Sequence, residues 1–166
     1  MRILLDVDGV LADFAGDVVR IANEVCCRKG LDARRFRIED VNCFDIAEAL
    51  QLTAREWHLA KAMIGAPGFA QSLNVYPGAY EGVAELIAAH DVHYVTAPWP
   101  SDTWCRDRQR WLAAEFMAHF DEVTFTHRKE LVAGDVLIED KPETLEAWCK
   151  AHPQGHGILW SRPWNA

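Results

Sequence analysis

The chain has 166 residues, half of them apolar and a quarter charged, with a formal net charge of −8. This is a globular balance, long enough to bury roughly 70% of the surface that the unfolded chain exposes, and it leaves no compositional case for disorder. The charge excess is acidic and no run of Lys or Arg forms a stripe, which excludes a nucleic-acid polymer as partner, and no apolar stretch approaches the roughly 20 residues of a membrane span.

RILLDV, residues 2 to 7, reads as a short buried strand. Beyond Gly9, Phe14, Val18, Ile21, Ala22 and Val25 recur at helical spacing, with Gly30 as the helix stop. Residues 31–73 lose strand periodicity and contain a Thr53-x-x-Glu56 capping box before Pro67 and Gly68, which predicts a small helical cap. Alternation then becomes regular. Helices are expected at 78–89, 102–118 and 142–152, and strands at 92–97, 123–126, 135–140 and 156–161. Short apolar strands alternating with helices predict an α/β fold, a three-layer parallel sheet covered on both faces. The sheet core is expected over 1–30 and 74–166, with the cap at 31–73 inserted after the first strand-helix unit.

In such a sheet, ligands bind at the carboxyl ends of the strands. The residues predicted there are Asp6 and Asp8 after the first strand, Thr96 at the end of the second, Lys129 in the loop after the third, and Glu139 and Asp140 ending the fourth. Several carboxylates brought together repel one another, and a hard cation with oxygen ligands, Mg²⁺ foremost, relieves that repulsion. Gly9 lets the chain turn away directly after the acids. One carboxylate can then attack while the other manages protons.

DVDGVLADF resembles the first motif of the haloacid dehalogenase superfamily, D-x-D-G-[TV]-x-x-D. VTAP resembles the second motif, Lys129 the third and VLIEDKPE the fourth. Within that superfamily the chain is similar to the 5'(3')-deoxyribonucleotidases, through Phe14, APGF, YPGA, DVLIEDKPETL and ILWSRPWN. The resemblance implies a phosphatase for a small phosphate ester such as a nucleoside monophosphate. Asp6 would be the nucleophile, Asp8 the general acid and base, and Thr96 and Lys129 the phosphoryl contacts. Mg²⁺ would be held by Asp6, the carbonyl of Asp8 and Asp140.

Two departures bear on the substrate. Ala97 stands where the family carries a second hydroxyl, and Thr126-His127-Arg128-Lys129 shifts an arginine by one position. A phosphatase for a sugar phosphate, or a binding protein of the same fold, are the alternatives. Phe14 is read either as core or as a wall of the substrate pocket, alongside Ala97. Phe36, Phe44 and Trp57 either stack on a base or form the cap's own core, with Phe44 the preferred substrate contact. Glu139 is read as supporting the metal ligands, since neighbours on a strand point oppositely. Trp104, Trp111 and Phe116 read as packing, Asp13 and Asp17 as a solvated helix start, and His152 and His156 as a surface loop. Cys26, Cys27, Cys43, Cys105 and Cys149 form no CxxC, so reduced thiols and a cytoplasmic location are expected. A homodimer is left open.

Overall fold

The computed structural model describes residues 1–27 and 35–166. Gly30 and the expected boundary between core and cap lie outside the described residues. Five parallel strands form one sheet: β1 (Arg2–Leu5), β2 (Asp91–Thr96), β3 (Val123–Phe125), β4 (Val136–Glu139) and β5 (His156–Leu159), in the order β3-β2-β1-β4-β5. The helices are α1 (Phe14–Cys27), α2 (Ile46–Ala49), α3 (Ala54–Ile64), α4 (Ala79–Ala89), α5 (Trp104–Phe116) and α6 (Pro142–Ala151).

Side chains alternate across the sheet and so build two cores. Ile3, Leu5, Val92, Tyr94, Val136 and Ile138 face Val18 and Ile21 of α1, Val83 of α4 and Trp111 of α5. On the other face, Leu4, Val95 and Leu137 bury against Trp148 of α6. Covering both faces explains why the strands are continuously apolar, each buried Leu or Ile contributing about 1.5–3 kcal/mol.

β1 stops at Leu5, before Asp6, although Asp6 N still donates to Ile138 O at 3.0 Å. The chain then winds around one carbonyl. Val7 O accepts from Leu11 N and Ala12 N, each at 2.8 Å. Gly9 sits at φ +81°, where a Cβ would also collide with the Asp140 carboxylate. Only glycine fits both constraints.

Between α1 and α4 the described chain is helical: short 3-10 turns at Ile38–Asp40 and Phe69–Gln71 flank α2 and α3. The expected capping box opens α3, with Thr53 Oγ1 accepting from Glu56 N and Glu56 returning to Thr53 N. Val41 and Leu50 pack on Val19 and Ala22 of α1, and Phe36 joins that cluster, so Phe36 is core. Asp17 departs from the solvated reading: it is buried, with Oδ1 paired to Arg20 at 2.9 Å. Asp13 accepts from Gly16 N at 3.0 Å and caps the start of α1. His152 follows the end of α6, half-buried and stacked on Trp148 at 4.7 Å, whereas His156 departs from the loop reading and opens β5. All five cysteines are free thiols, and no helix among the described residues is long and apolar enough to cross a membrane.

Candidate active site

β1 lies between β2 and β4; the chain leaving β1 leads to β2 on one side and the chain leaving β4 leads to β5 on the other, which opens a crevice at their carboxyl ends. Asp6 follows β1, Thr96 ends β2, Glu139 ends β4 and Asp140 follows it. Lys129 begins a 3-10 turn beyond β3. These five and Asp8 line one pocket of about 540 Å³, whose other walls include Phe14, Phe44 and Ala97. That volume suits a mononucleotide-sized ligand, since small-molecule sites run roughly 300–1,000 Å³.

Lys129 is 4% exposed and ties two acids together: Nζ lies 2.5 Å from Asp6 Oδ1 and 2.7 Å from Glu139 Oε2. Glu139 Oε1 accepts from Lys141 N at 3.1 Å, and Asp6 Oδ1 accepts from Val7 N at 2.7 Å. Burial first, then Glu139, pushes the Asp6 carboxyl up to about 7, with Lys129 only partly opposing it. Burial and the neighbouring Asp6 push Asp140 up to about 7 as well. Burial alone would lower the Lys129 ammonium, but Asp6 and Glu139 outweigh it and the pKa rises. The site has more negative charge than its own cations balance.

Carboxylate oxygens of Asp6, Glu139 and Asp140 lie within 4.8 Å of one another. Glu139 converges with Asp140 because Asp140 is past the end of the strand, where alternation no longer holds; its carboxylate is nevertheless taken by Lys129 and Lys141. In these contacts Asp6 uses Oδ1. An all-oxygen set of this kind suits a hard divalent cation. Thr96 is fully buried, and its Oγ1 has no hydrogen-bond partner among the described residues. A buried hydroxyl at the floor of a pocket is a donor awaiting an acceptor.

Asp8 is held by a residue that sequence reading missed. Arg108 of α5 is fully buried and donates through Nη2 to Asp8 Oδ1. Its guanidinium carbon lies 5.3 Å from the Trp104 ring and 5.1 Å from the Trp111 ring, while Nε and Nη1 find no partner among the described residues. Burial raises the Asp8 pKa and Arg108 pulls against it. The signal was present in Trp104, Arg108 and Trp111, whose spacing puts an arginine on an apolar helix face between two indoles. Trp104 and Trp111 are therefore more than packing.

The apolar wall is aromatic. Phe14 meets Trp99 at 5.9 Å and Phe69 edge-on at 6.3 Å, so it is both core and pocket wall. Trp57 stands edge-on to Trp99 at 6.2 Å. Phe44 stays 48% exposed at the mouth, with Lys141 Nζ 4.4 Å from its ring centroid. Trp99, His127 and Trp164 also line the pocket. Trp99 sits between two prolines, where no periodicity marks a site.

A family model described as "5' nucleotidase, deoxy (Pyrimidine), cytosolic type C protein" matches residues 1–166. A Staphylococcus epidermidis protein named "Putative 5'(3')-deoxyribonucleotidase" is 30% identical over 166 residues, covering 99% of this chain and 84% of its own. A Bordetella parapertussis protein of the same name is 32% identical over 168 residues, covering 99% and 86%. Among solved structures, a haloacid dehalogenase-family hydrolase from Deinococcus radiodurans, with bound phosphate and sodium, superposes with a TM-score of 0.61 at 16% identity, covering 98% of this chain and 83% of its own.

Proposed function

The chain belongs to the cytosolic type C 5'-nucleotidase family, deoxy (pyrimidine), and from that membership we propose that it releases phosphate from deoxyribonucleoside monophosphates through an aspartyl-phosphate on Asp6. Its fold is that of the haloacid dehalogenase-like hydrolases, and the chain is a phosphatase of that kind. The observation that carries the finer reading is the Thr96 hydroxyl, buried and without a partner among the described residues, in the same pocket as Asp6 and Lys129. A phosphoryl oxygen would satisfy it, and the Lys129 ammonium would share that oxygen's charge.

A carboxylate oxygen of Asp6 attacks phosphorus, and the bond from phosphorus to the ester oxygen breaks as Asp8 gives that oxygen its proton. Water then attacks the phosphorus of the aspartyl-phosphate, Asp8 takes the water's proton, and the bond to Asp6 breaks to release phosphate. Burial raises the Asp8 pKa against the pull of Arg108, in the direction that favours the protonated form its first task needs. Mg²⁺ held by Asp6, Asp140 and the Asp8 carbonyl would neutralise charge on the phosphoryl oxygens. Trp57, Trp99 and Phe44 offer ring faces for a nucleobase, since aromatic stacking tolerates different bases.

Phosphate release from ribo- and deoxyribonucleoside monophosphates and common sugar phosphates, each with Mg²⁺ and with EDTA, tests this reading. Turnover is expected with deoxyribonucleotides and Mg²⁺, and loss of turnover with EDTA. Turnover of sugar phosphates alone would keep the chemistry and overturn the substrate; turnover unaffected by EDTA would overturn the cation.

Arg108→Met separates holding Asp8 from holding the fold. Asp8 loses its partner in this variant, but it is 24% exposed to the pocket and two of the buried guanidinium nitrogens have no partner among the described residues, so the loss of stability should be smaller than the roughly 3–5 kcal/mol of a fully buried pair. Turnover is expected to fall by roughly 10²-fold, the lower range of what a positioned acid supplies. Full turnover in a folded variant would show that Asp8 needs no such anchor.

A further inference from the structure

The segment Arg162–Asn165, beyond β5, folds back across the acid site, and the chemistry above makes no use of it. Trp164 Nε1 donates to Asp140 Oδ2 at 2.8 Å. Asn165 Nδ2 donates to the carbonyls of Asp140 at 2.6 Å and Trp160 at 2.8 Å. Arg162 Nε donates to the carbonyl of Gly9, and its guanidinium carbon lies 3.6 Å from the centroid of the Tyr76 ring. The segment is closed on itself, Arg162 N donating to Asn165 Oδ1 at 2.8 Å and Asn165 N to Arg162 O at 3.1 Å. It is anchored to the sheet by Trp160 N, which donates to Glu139 O at 2.8 Å.

One short turn thus grips both loops that carry acids, the one after β1 through Gly9 and the one after β4 through Asp140. We propose that Arg162–Asn165 is a strap that presets the cation site, with Trp164 as its positioning residue: the indole N–H takes Asp140 Oδ2 and so aims the remaining oxygen at the cation. The inference rests on the reading of Asp6 and Asp140 as cation ligands.

The geometry favours positioning over simple packing. An indole that only filled space would need no hydrogen bond to a carboxylate, and its N–H would serve equally against a backbone carbonyl. Here the N–H goes to an acid of the cluster, while the neighbouring Asn165 fixes the backbone of that same acid. Side chain and main chain of Asp140 are held from one turn, which fixes both the direction and the origin of the ligand. Outer hydrogen-bond partners of this sort typically govern metal affinity by roughly 10–100-fold. Arg162 holds the Gly9 carbonyl, adjacent to the residue whose own carbonyl would bind the same cation.

The test is cation binding without substrate: Mn²⁺ titrated into wild type, Trp164→Phe and Asp140→Asn, read by electron paramagnetic resonance or calorimetry. Asp140→Asn is expected to abolish the site, and Trp164→Phe to weaken it by roughly 10–100-fold. Turnover of Trp164→Phe should recover as Mg²⁺ is raised, and its metal-free melting should stay near wild type. Should Trp164→Phe fold poorly, benzothienylalanine placed at position 164 keeps the bicyclic shape and removes only the N–H, and the same weakening is expected. Wild-type affinity in either folded replacement overturns the strap while leaving the cation site standing. Binding in wild type that Asp140→Asn leaves unchanged overturns the site itself, and the strap with it.

Discussion

Asp6→Asn is expected to lower turnover by roughly 10⁴ to 10⁶-fold, the range seen when a covalent nucleophile is removed from an intact site. The same change should hold or raise stability. Burial and Glu139 push the Asp6 carboxyl up to about 7, so the folded site disfavours its ionised form more than Lys129 favours it. A neutral amide of the same shape keeps an oxygen for Val7 N, and Lys129 retains Glu139 at 2.7 Å. Melting and turnover should therefore move independently. A variant that keeps substantial turnover contradicts covalent catalysis at Asp6; one that unfolds contradicts the electrostatic account of the cluster.

Lys129→Met is the second large effect, and its direction differs. Lys129 is the cation between Asp6 and Glu139, both of which are nearly inaccessible. Removing it leaves two buried acids facing each other without compensation, and breaking one partner of a buried pair costs about 3–5 kcal/mol. Measured in EDTA by denaturant unfolding with an unchanged slope, the midpoint should fall accordingly. Restoring one neutral partner should recover part of the loss, so Lys129→Met with Glu139→Gln should be more stable than Lys129→Met alone. Equal stability of the single and double variants would contradict the pairing. Turnover should fall in both, because each lacks the ammonium that would face the phosphoryl group.

The sheet was legible in the sequence because its strands are short apolar runs separated by helices, a pattern set by burial on both faces. Asp6, Thr96 and Asp140 followed from it, since fixing where each strand ends also fixes which residues meet at the rim. Strand ends were overrun by a residue or two, as at Asp6, because a polar residue leaving the ladder still carries one ladder hydrogen bond. Arg108 was not found. A charged residue in the highly charged helix WCRDRQRW reads as solvated unless its flanking tryptophans are placed on the same face. Asp17 misled in the same way, since an acid in the first turn of a helix looks like a complement to the dipole. Trp164 and Arg162 lay beyond any local rule: their partners Asp140 and Gly9 are distant in sequence, and only the closed fold joins them.

The segment between α1 and α4 was legible as helical but not in its details. Phe36 and Phe44 look alike in sequence, yet Phe36 packs under α1 while Phe44 stands at the pocket mouth beside Lys141. Which aromatic faces inward depends on where this segment packs, and its packing is a property of α1 and α3 together rather than of the segment's own sequence.

The most direct test of the account is to quench the enzyme in acid while it turns over a deoxyribonucleoside monophosphate with Mg²⁺, then map the protein by mass spectrometry. One phosphoryl group on Asp6, cleaved by hydroxylamine and missing from Asp6→Asn, is the predicted result. Phosphate released at full rate, with a phosphoryl group on another residue instead of Asp6, would contradict it.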